Sequence, residues 1–347
     1  MKAAIYRTPG DIRIEEVEPA AIGDDELLVD VRAASLCGTD VRIFETGHVK
    51  IPTPTRRVLG HEIAGVISKV GRLVSGFRPG MRVCFTPNIG CGVCESCRRG
   101  FNNLCPRYDV LGITIDGGFQ EAMRVPAAAI RGGNVFEIPD GLGFEEAAVI
   151  EPLACCYNAF RGVRITAEDT LLVIGPGPIG AFFVQLARRW GVKTIIVAGR
   201  SATRLREIER FGADITIDTS AKDLRVEIGR ITRGRGVDVV VTAASSPELQ
   251  PLAVELLAIH GRVSFFGGLA RGTEVAIDTN LVHYRGLTLT GTTGASNEDY
   301  FRSLRLVADG QIDARAVISH RFALAEIDAA FAVARGRKAM KTIIVAP

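Results

Sequence analysis

Two patterns of apolar residues divide the chain. Through roughly the first 150 residues the apolar positions fall in short runs of β type, among them Glu26-Leu27-Leu28-Val29-Asp30-Val31 and Ile63-Ala64-Gly65-Val66-Ile67, separated by Gly and Pro turns. This predicts a barrel-like β domain. From about Thr170 short apolar strands alternate with stretches of helical period, the pattern of βαβ units on a parallel sheet. Six strands are predicted there, at 171–174, 194–198, 214–217, 238–242, 262–266 and 287–290, the number that a full doubly wound fold uses. Beyond Gly291 the alternation stops. A helix-like stretch from Tyr300 to Val307 leads to Lys341-Thr342-Ile343-Ile344-Val345, a β segment expected to return to the first domain. The expected division is 1–155, continued by 296–347, around a separate α/β domain at 156–295.

The composition, with 47% hydrophobic and 23% charged residues over 347 positions, is that of an ordinary globular protein with material for two cores. The 42 basic side chains against 39 acidic ones give a net charge of +3 without any dense Lys/Arg block, which argues against nucleic acid as a partner. No apolar run approaches the roughly 20 residues that cross a bilayer. The N-terminal Met1-Lys2-Ala3-Ala4-Ile5-Tyr6 enters a strand-like segment directly, without the apolar core of a signal peptide, so a cytoplasmic location is expected.

Cysteine usage changes the picture. Of the eight cysteines, Cys91, Cys94, Cys97 and Cys105 crowd into one short segment with spacings of three, three and eight. Four thiolates in one loop saturate a tetrahedral zinc ion and leave no open position, so this set predicts a structural metal site, its formal charge of −2 moderated by Arg98, Arg99 and Arg107. Cys155-Cys156 reads as a pair of small core residues.

A second constellation is dispersed: Cys37-Gly38-Thr39-Asp40, then Gly60-His61-Glu62, then Glu151-Pro152. Thiolate, imidazole and carboxylates together match a catalytic zinc shell, which needs three protein ligands and a place for substrate. Zinc held by the Cys37 thiolate, His61 and one glutamate is neutral, whereas a second glutamate makes the site anionic. Glu62 and Glu151 are therefore expected to exchange rather than to bind together.

The α/β half carries a dinucleotide signature. Leu171-Leu172-Val173-Ile174 runs into Gly175-Pro176-Gly177-Pro178-Ile179-Gly180, followed by helical period from Ala181 to Trp190. The glycines permit a tight turn, close approach of backbone to pyrophosphate and tight packing of helix on strand. At the end of the next strand, where an NAD enzyme places an acid for the ribose 2′-hydroxyl, the chain has Gly199-Arg200-Ser201 and then Arg204. Without the acid, and with an arginine to hold a 2′-phosphate, NADP is favoured over NAD. Phe266-Gly267-Gly268 and Gly291-Thr292-Thr293 are candidate nicotinamide contacts or plain turns.

With the glycine loop and both zinc patterns in this order, the whole chain resembles the zinc-containing medium-chain dehydrogenases, with most similarity to the polyol (sorbitol) and threonine dehydrogenases. The resemblance implies a GroES-like catalytic domain interrupted by a Rossmann domain, and a homo-oligomer, tetramer or dimer. It implies catalytic-zinc roles for Cys37, His61 and Glu62, structural-zinc roles for Cys91, Cys94, Cys97 and Cys105, and the start of a proton relay at Thr39. Relatives with the CGTDV pattern often carry histidine where this chain has Arg42, and arginine cannot shuttle a proton at neutral pH. Either His48 substitutes, or Thr39 and Glu151 pass the proton to water. The Gly199-Arg200-Ser201 ending is similar to NADP-using ketose reductases, which implies reduction as the cellular direction. The expected function is hydride transfer between NADP and a secondary alcohol or ketone of a small polyol or sugar. The alternatives are a threonine-type amino-alcohol dehydrogenase, a zinc-free quinone reductase and a non-catalytic cofactor-binding relative.

Overall fold

The computed structural model describes residues 1–336 and 339–345. The chain forms two compact units, Met1–Ala154 together with the chain from Gly294 onward, and Cys155–Thr293. Among the described residues no helix is long and apolar enough to cross a membrane.

The first unit is built on a seven-stranded sheet and a three-stranded one. At the heart of the larger sheet, Leu27–Ser35 pairs antiparallel with Glu62–Val70, with Ala122–Val125 and with the final strand Lys341–Val345. Its core is aliphatic with a few rings, and Phe119 and Phe331 meet edge to face at 6.2 Å. The returning strand supplies Ile344 to this core, so the tail belongs to the unit by burial as well as by pairing. Helices also occur where only strands were expected, notably Gly38–Thr46. Its Val41, Ile43, Phe44 and Thr46 have weak helix propensity; Cys37 at the N-cap and Asp40 in the first turn set it instead.

The second unit is a six-stranded, all-parallel sheet. The strands Thr170–Ile174, Thr194–Gly199, Ile215–Asp218, Val237–Thr242, Leu257–Phe265 and Thr288–Gly291 lie in the order third, second, first, fourth, fifth, sixth. This is the doubly wound dinucleotide topology, whose switch point lies between the first and fourth strands. Helix Pro178–Arg189 follows the first strand, with Gly177 at its N-cap and Pro178 opening it, where a missing N–H costs nothing.

Candidate active site

Sheet register assembles the candidate metal ligands. Ser35, at the end of its strand, pairs with Glu62, and Cys37 follows two residues later. Cys37, His61 and Glu62 offer ligand atoms that all lie within 4.8 Å of one another, with His61 and Glu62 buried and Cys37 half-buried. Thiolate, imidazole and carboxylate at this spacing fit zinc, whose bonds of about 2.0–2.3 Å put the ligands of a tetrahedral site under roughly 4 Å apart.

Asp40 orients this set, although the sequence reading gave it no role. Fully buried, it accepts hydrogen bonds from the Cys37 amide at 2.9 Å and the Gly60 amide at 3.2 Å. Its Oδ1 also lies 3.4 Å from His61 Nδ1, which leaves the other ring nitrogen for a metal. Burial opposes a charged imidazole at His61, but the Asp40 and Cys37 charges raise its pKa well above the usual value. Burial likewise pushes the Glu62 carboxyl up to about 7 against the pull of Lys341, with the Glu151 charge adding to the rise.

Glu151 stands apart from the tight group. Buried in the first turn of helix Ile150–Gly162, it acts by charge on Glu62 and Lys341, but the close donor set is Cys37, His61 and Glu62. Lys341, which sequence reasoning missed as a site residue, places its ammonium 2.7 Å from Glu62 Oε1 and 2.6 Å from Oε2. A lysine 279 positions away in the chain gives no local signal of such a contact.

Thr39 lies half-buried two residues after Cys37, and Arg42 Nη2 donates to its Oγ1 at 3.4 Å. His48 Nδ1 accepts from the Lys50 amide at 3.1 Å, and no hydrogen bond joins His48 to Thr39 among the described residues. Burial, with the nearby charges of Arg42 and Lys50, holds the His48 pKa below its usual value.

The four remaining candidate ligands gather as expected. Cys91, Cys94, Cys97 and Cys105 have sulfurs within 4.8 Å of one another, and Cys94 and Cys105 are 3.7 Å apart, close to the edge of a tetrahedral S4 site. None of the eight cysteines forms a disulfide. Arg107 contributes its amide to Cys105 Sγ at 3.4 Å and its guanidinium to Cys91 Sγ at 3.6 Å. Arg99 instead faces Glu95 at 3.5 Å. Hydrogen bonds from the Val93 and Cys94 amides lower the Cys91 thiol to about 6, whereas burial raises Cys97 to about 12.

In the second unit Gly175 has φ 128°, and a Cβ on Gly180 would lie 2.2 Å from the Gly175 carbonyl oxygen. Gly177 is open, with only Arg204 Nη1 3.9 Å from where its Cβ would be. That opening lies above the N-terminus of a 12-residue helix, a geometry that could hold a phosphate, with Pro178 and Ile179 in its first turn. Gly199 abuts this loop: a Cβ there would lie 2.2 Å from Pro176 Cδ. The missing acid thus has a steric reason. Exposed Arg200 is near enough to Glu248 to help lower its pKa, after a hydrogen bond from Ser246. Ser201 caps helix Ala202–Glu209, its Oγ accepting the Arg204 amide at 3.4 Å. Gly267 packs against Ala244, where a Cβ would lie 2.6 Å from the carbonyl oxygen, a sufficient structural reason for a glycine.

Comparison with known proteins agrees with this geometry. Residues 23–140 match the alcohol dehydrogenase GroES-like domain, and residues 178–309 match the zinc-binding dehydrogenase family. The chain is 31% identical to sorbitol dehydrogenase of Bacillus subtilis strain 168, over 93% of its length and 90% of that protein. It is 30% identical to L-threonine 3-dehydrogenase of Anaeromyxobacter sp. strain K, over 99% and 98%. Among solved structures, a zinc-binding dehydrogenase target from Sinorhizobium meliloti 1021 bound to NADP superposes with a TM-score of 0.91 at 34% identity, covering 99% of both chains. An alcohol dehydrogenase from Escherichia coli CFT073 complexed with NADH also gives 0.91, at 29% identity over 100% of this chain and 99% of that one.

Proposed function

The chain belongs to the zinc-containing medium-chain alcohol dehydrogenase family, and on that premise we propose that it interconverts a secondary alcohol and a ketone in a small polyol or sugar, using NADP. The observation that carries this reading is the buried donor set of Cys37, His61 and Glu62 within 4.8 Å. Zinc held there supplies Lewis acidity toward the substrate oxygen, and the nicotinamide supplies or accepts the hydride.

The chain's own groups do the rest. Asp40 fixes the orientation of His61 and the Cys37 backbone. Thr39 Oγ1 takes the substrate hydroxyl proton and passes its own proton outward. Arg42 donates to that oxygen, which leaves the threonine proton free to point elsewhere. As an arginine it orients Thr39 without carrying the proton itself. We assign onward transfer to water, since the His48 Nδ1 is engaged by the Lys50 amide. The glycine loop from Gly175 to Gly180 presents helix N-terminal amides to pyrophosphate. Arg200, with Ser201 and Arg204 beside it, takes the 2′-phosphate.

We place the enzyme in the cytoplasm, because a four-thiolate metal site is best kept in a reducing compartment. A homo-oligomer, dimer or tetramer, is part of the same reading and is checked by light scattering. The test of function measures zinc per chain together with NADPH oxidation on ketoses and NADP reduction on polyols, amino alcohols and simple alcohols. Turnover confined to threonine-like amino alcohols shifts the assignment to that branch. Two ions per chain without any turnover sinks the catalytic reading.

Two cofactor predictions follow from the loop. Arg200→Ala lowers kcat/KM for NADPH by about tenfold to a hundredfold, the equivalent of the roughly 1.5–3 kcal/mol of a hydrogen bond to a charged group, and leaves NADH little changed. Equal losses with both cofactors would place Arg200 elsewhere. Gly199→Asp does not produce a clean switch to NAD. Its Cβ collides with Pro176, so binding of both cofactors weakens in titrations.

A further inference from the structure

We propose that Lys341 is a positioning residue of the catalytic metal centre: its ammonium holds Glu62 and offsets part of the negative charge that Glu151 brings to the centre. The proposal rests on the reading of Cys37, His61 and Glu62 as metal ligands.

Backbone register puts the lysine there. Ser35 pairs with Glu62 on one side and with Ile343 on the other, and the Leu36 amide donates to the Thr342 carbonyl at 3.0 Å. Continuing the antiparallel register carries Lys341 to the level of Cys37. Its side chain is 5% exposed and Glu62 is fully buried, so neither charge is solvated by bulk water. Cys37 and Glu151 also act on the ammonium by charge.

Sheet stability alone is a poor account of this pair. Desolvating an ammonium and a carboxylate commonly costs as much as their attraction returns, and apolar residues of similar volume hold a sheet as well or better. A buried lysine beside three potential metal-directed anions has a different consequence. A divalent ion with the Cys37 thiolate and one carboxylate is neutral. The second carboxylate brings the sum to −1 and the buried Asp40 behind His61 adds one more negative charge, so Lys341 offsets one of the two excess charges. The lysine also gives Glu62 a partner whenever Glu151 faces the ion, so that neither carboxylate is stranded without a counter-charge during exchange.

The test compares the zinc and cobalt(II) forms of wild type, Lys341→Gln and Lys341→Arg. The glutamine keeps a donor for Glu62 and removes the charge, whereas the arginine keeps the charge. For Lys341→Gln the expected result is a shifted visible spectrum of catalytic-site cobalt and a kcat lowered about 10–100-fold, the usual range for groups that support metal ligands. KM for NADPH stays unchanged, and Lys341→Arg restores both signals. A Lys341→Gln protein with wild-type spectrum and kcat, even at a lower Tm, overturns the proposal. A second measurement needs no variant: in a crystal structure of the zinc-loaded wild type, Lys341 Nζ should bond whichever of Glu62 and Glu151 is off the metal. Finding it beyond reach of both overturns the proposal. Absence of cobalt binding at Cys37 and His61 in wild type overturns this proposal and the functional reading together, whereas an unaltered variant spectrum overturns only the role of Lys341.

Discussion

Cys37→Ser is expected to contain one zinc ion per chain in place of two and to lose about a thousandfold or more in kcat/KM, with the fold and the dinucleotide site intact. The ion count follows from the separation of the two donor sets: Cys37 belongs to the group with His61 and Glu62, and the four-cysteine set shares none of its members. The rate follows from the loss of Lewis acidity, worth several kcal/mol of charge stabilisation at the substrate oxygen; about 4 kcal/mol corresponds to a factor of about a thousand. Folding should survive, because Cys37 is half-buried and its backbone N–H, which bonds Asp40, remains in the serine variant. The measurements are metal analysis, circular dichroism, NADPH titration and turnover on the best substrate of the panel. A variant with full turnover and a single ion would show that the chemistry does not use this centre.

The residues behind that prediction were legible because their chemistry is local and unusual. A thiol, an imidazole and a carboxylate in a β-rich domain, or four thiols within one loop, have few other uses, and the sheet then brought Cys37, His61 and Glu62 together. The six parallel strands were legible for a similar reason: strands buried on both faces are nearly continuous apolar runs, such as Leu171 to Ile174 and Val239 to Val241. The helix Gly38–Thr46 was missed because its side chains favour strands and its start is set by cap contacts. Asp40 carried a weak signal, an acid in the first turn after a metal-binding thiol, yet its bonds to the Cys37 and Gly60 amides exist only in the folded chain.

Lys341 carried no signal at all, and its omission left a buried charge out of the count. Counting only the residues near the motifs, two glutamates and one thiolate overcharge a zinc ion, which led to the expectation that Glu62 and Glu151 exchange rather than bind together. Sheet pairing brings in a cation from the far end of the chain, and helix Gly38–Thr46 brings in the buried anion Asp40, so both enter the charge count. Charge balance at a buried centre is a property of the tertiary neighbourhood, so a one-dimensional motif cannot close it. Gly199 makes the same point sterically, since its contact with Pro176 explains the missing acid only once the two loops are side by side.

Cys97→Ser should also leave one zinc ion per chain, but with the opposite functional pattern: turnover per remaining ion near wild type, a lowered Tm, and rapid proteolysis within residues 91–107. The reason lies in what holds this lobe. Val93, Phe101 and Leu104 are exposed, at 60%, 44% and 51%, so apolar burial contributes little to its shape. Its anchors are polar and lie at one end: Asn102 Nδ2 donates to the Asn88 carbonyl at 2.8 Å and to Asn297 Oδ1 at 3.1 Å, and the Asn297 amide returns a bond to Asn102 Oδ1 at 3.0 Å. Between Cys91 and Cys97 a metal held by the four cysteines would therefore be the main restraint, and the free energy of binding zinc would act as folding free energy there. If the variant loses about 3 kcal/mol from the cooperative unit, Tm falls by roughly 6–12 °C, taking about 2–4 °C per kcal/mol for a domain of this size. A chelator strong enough to strip the four-cysteine site should reproduce the proteolysis in wild type before global unfolding. If the metal-depleted lobe resists protease as well as the loaded one, the asparagine anchors and not the ion hold it, and the structural role assigned to these four cysteines is wrong.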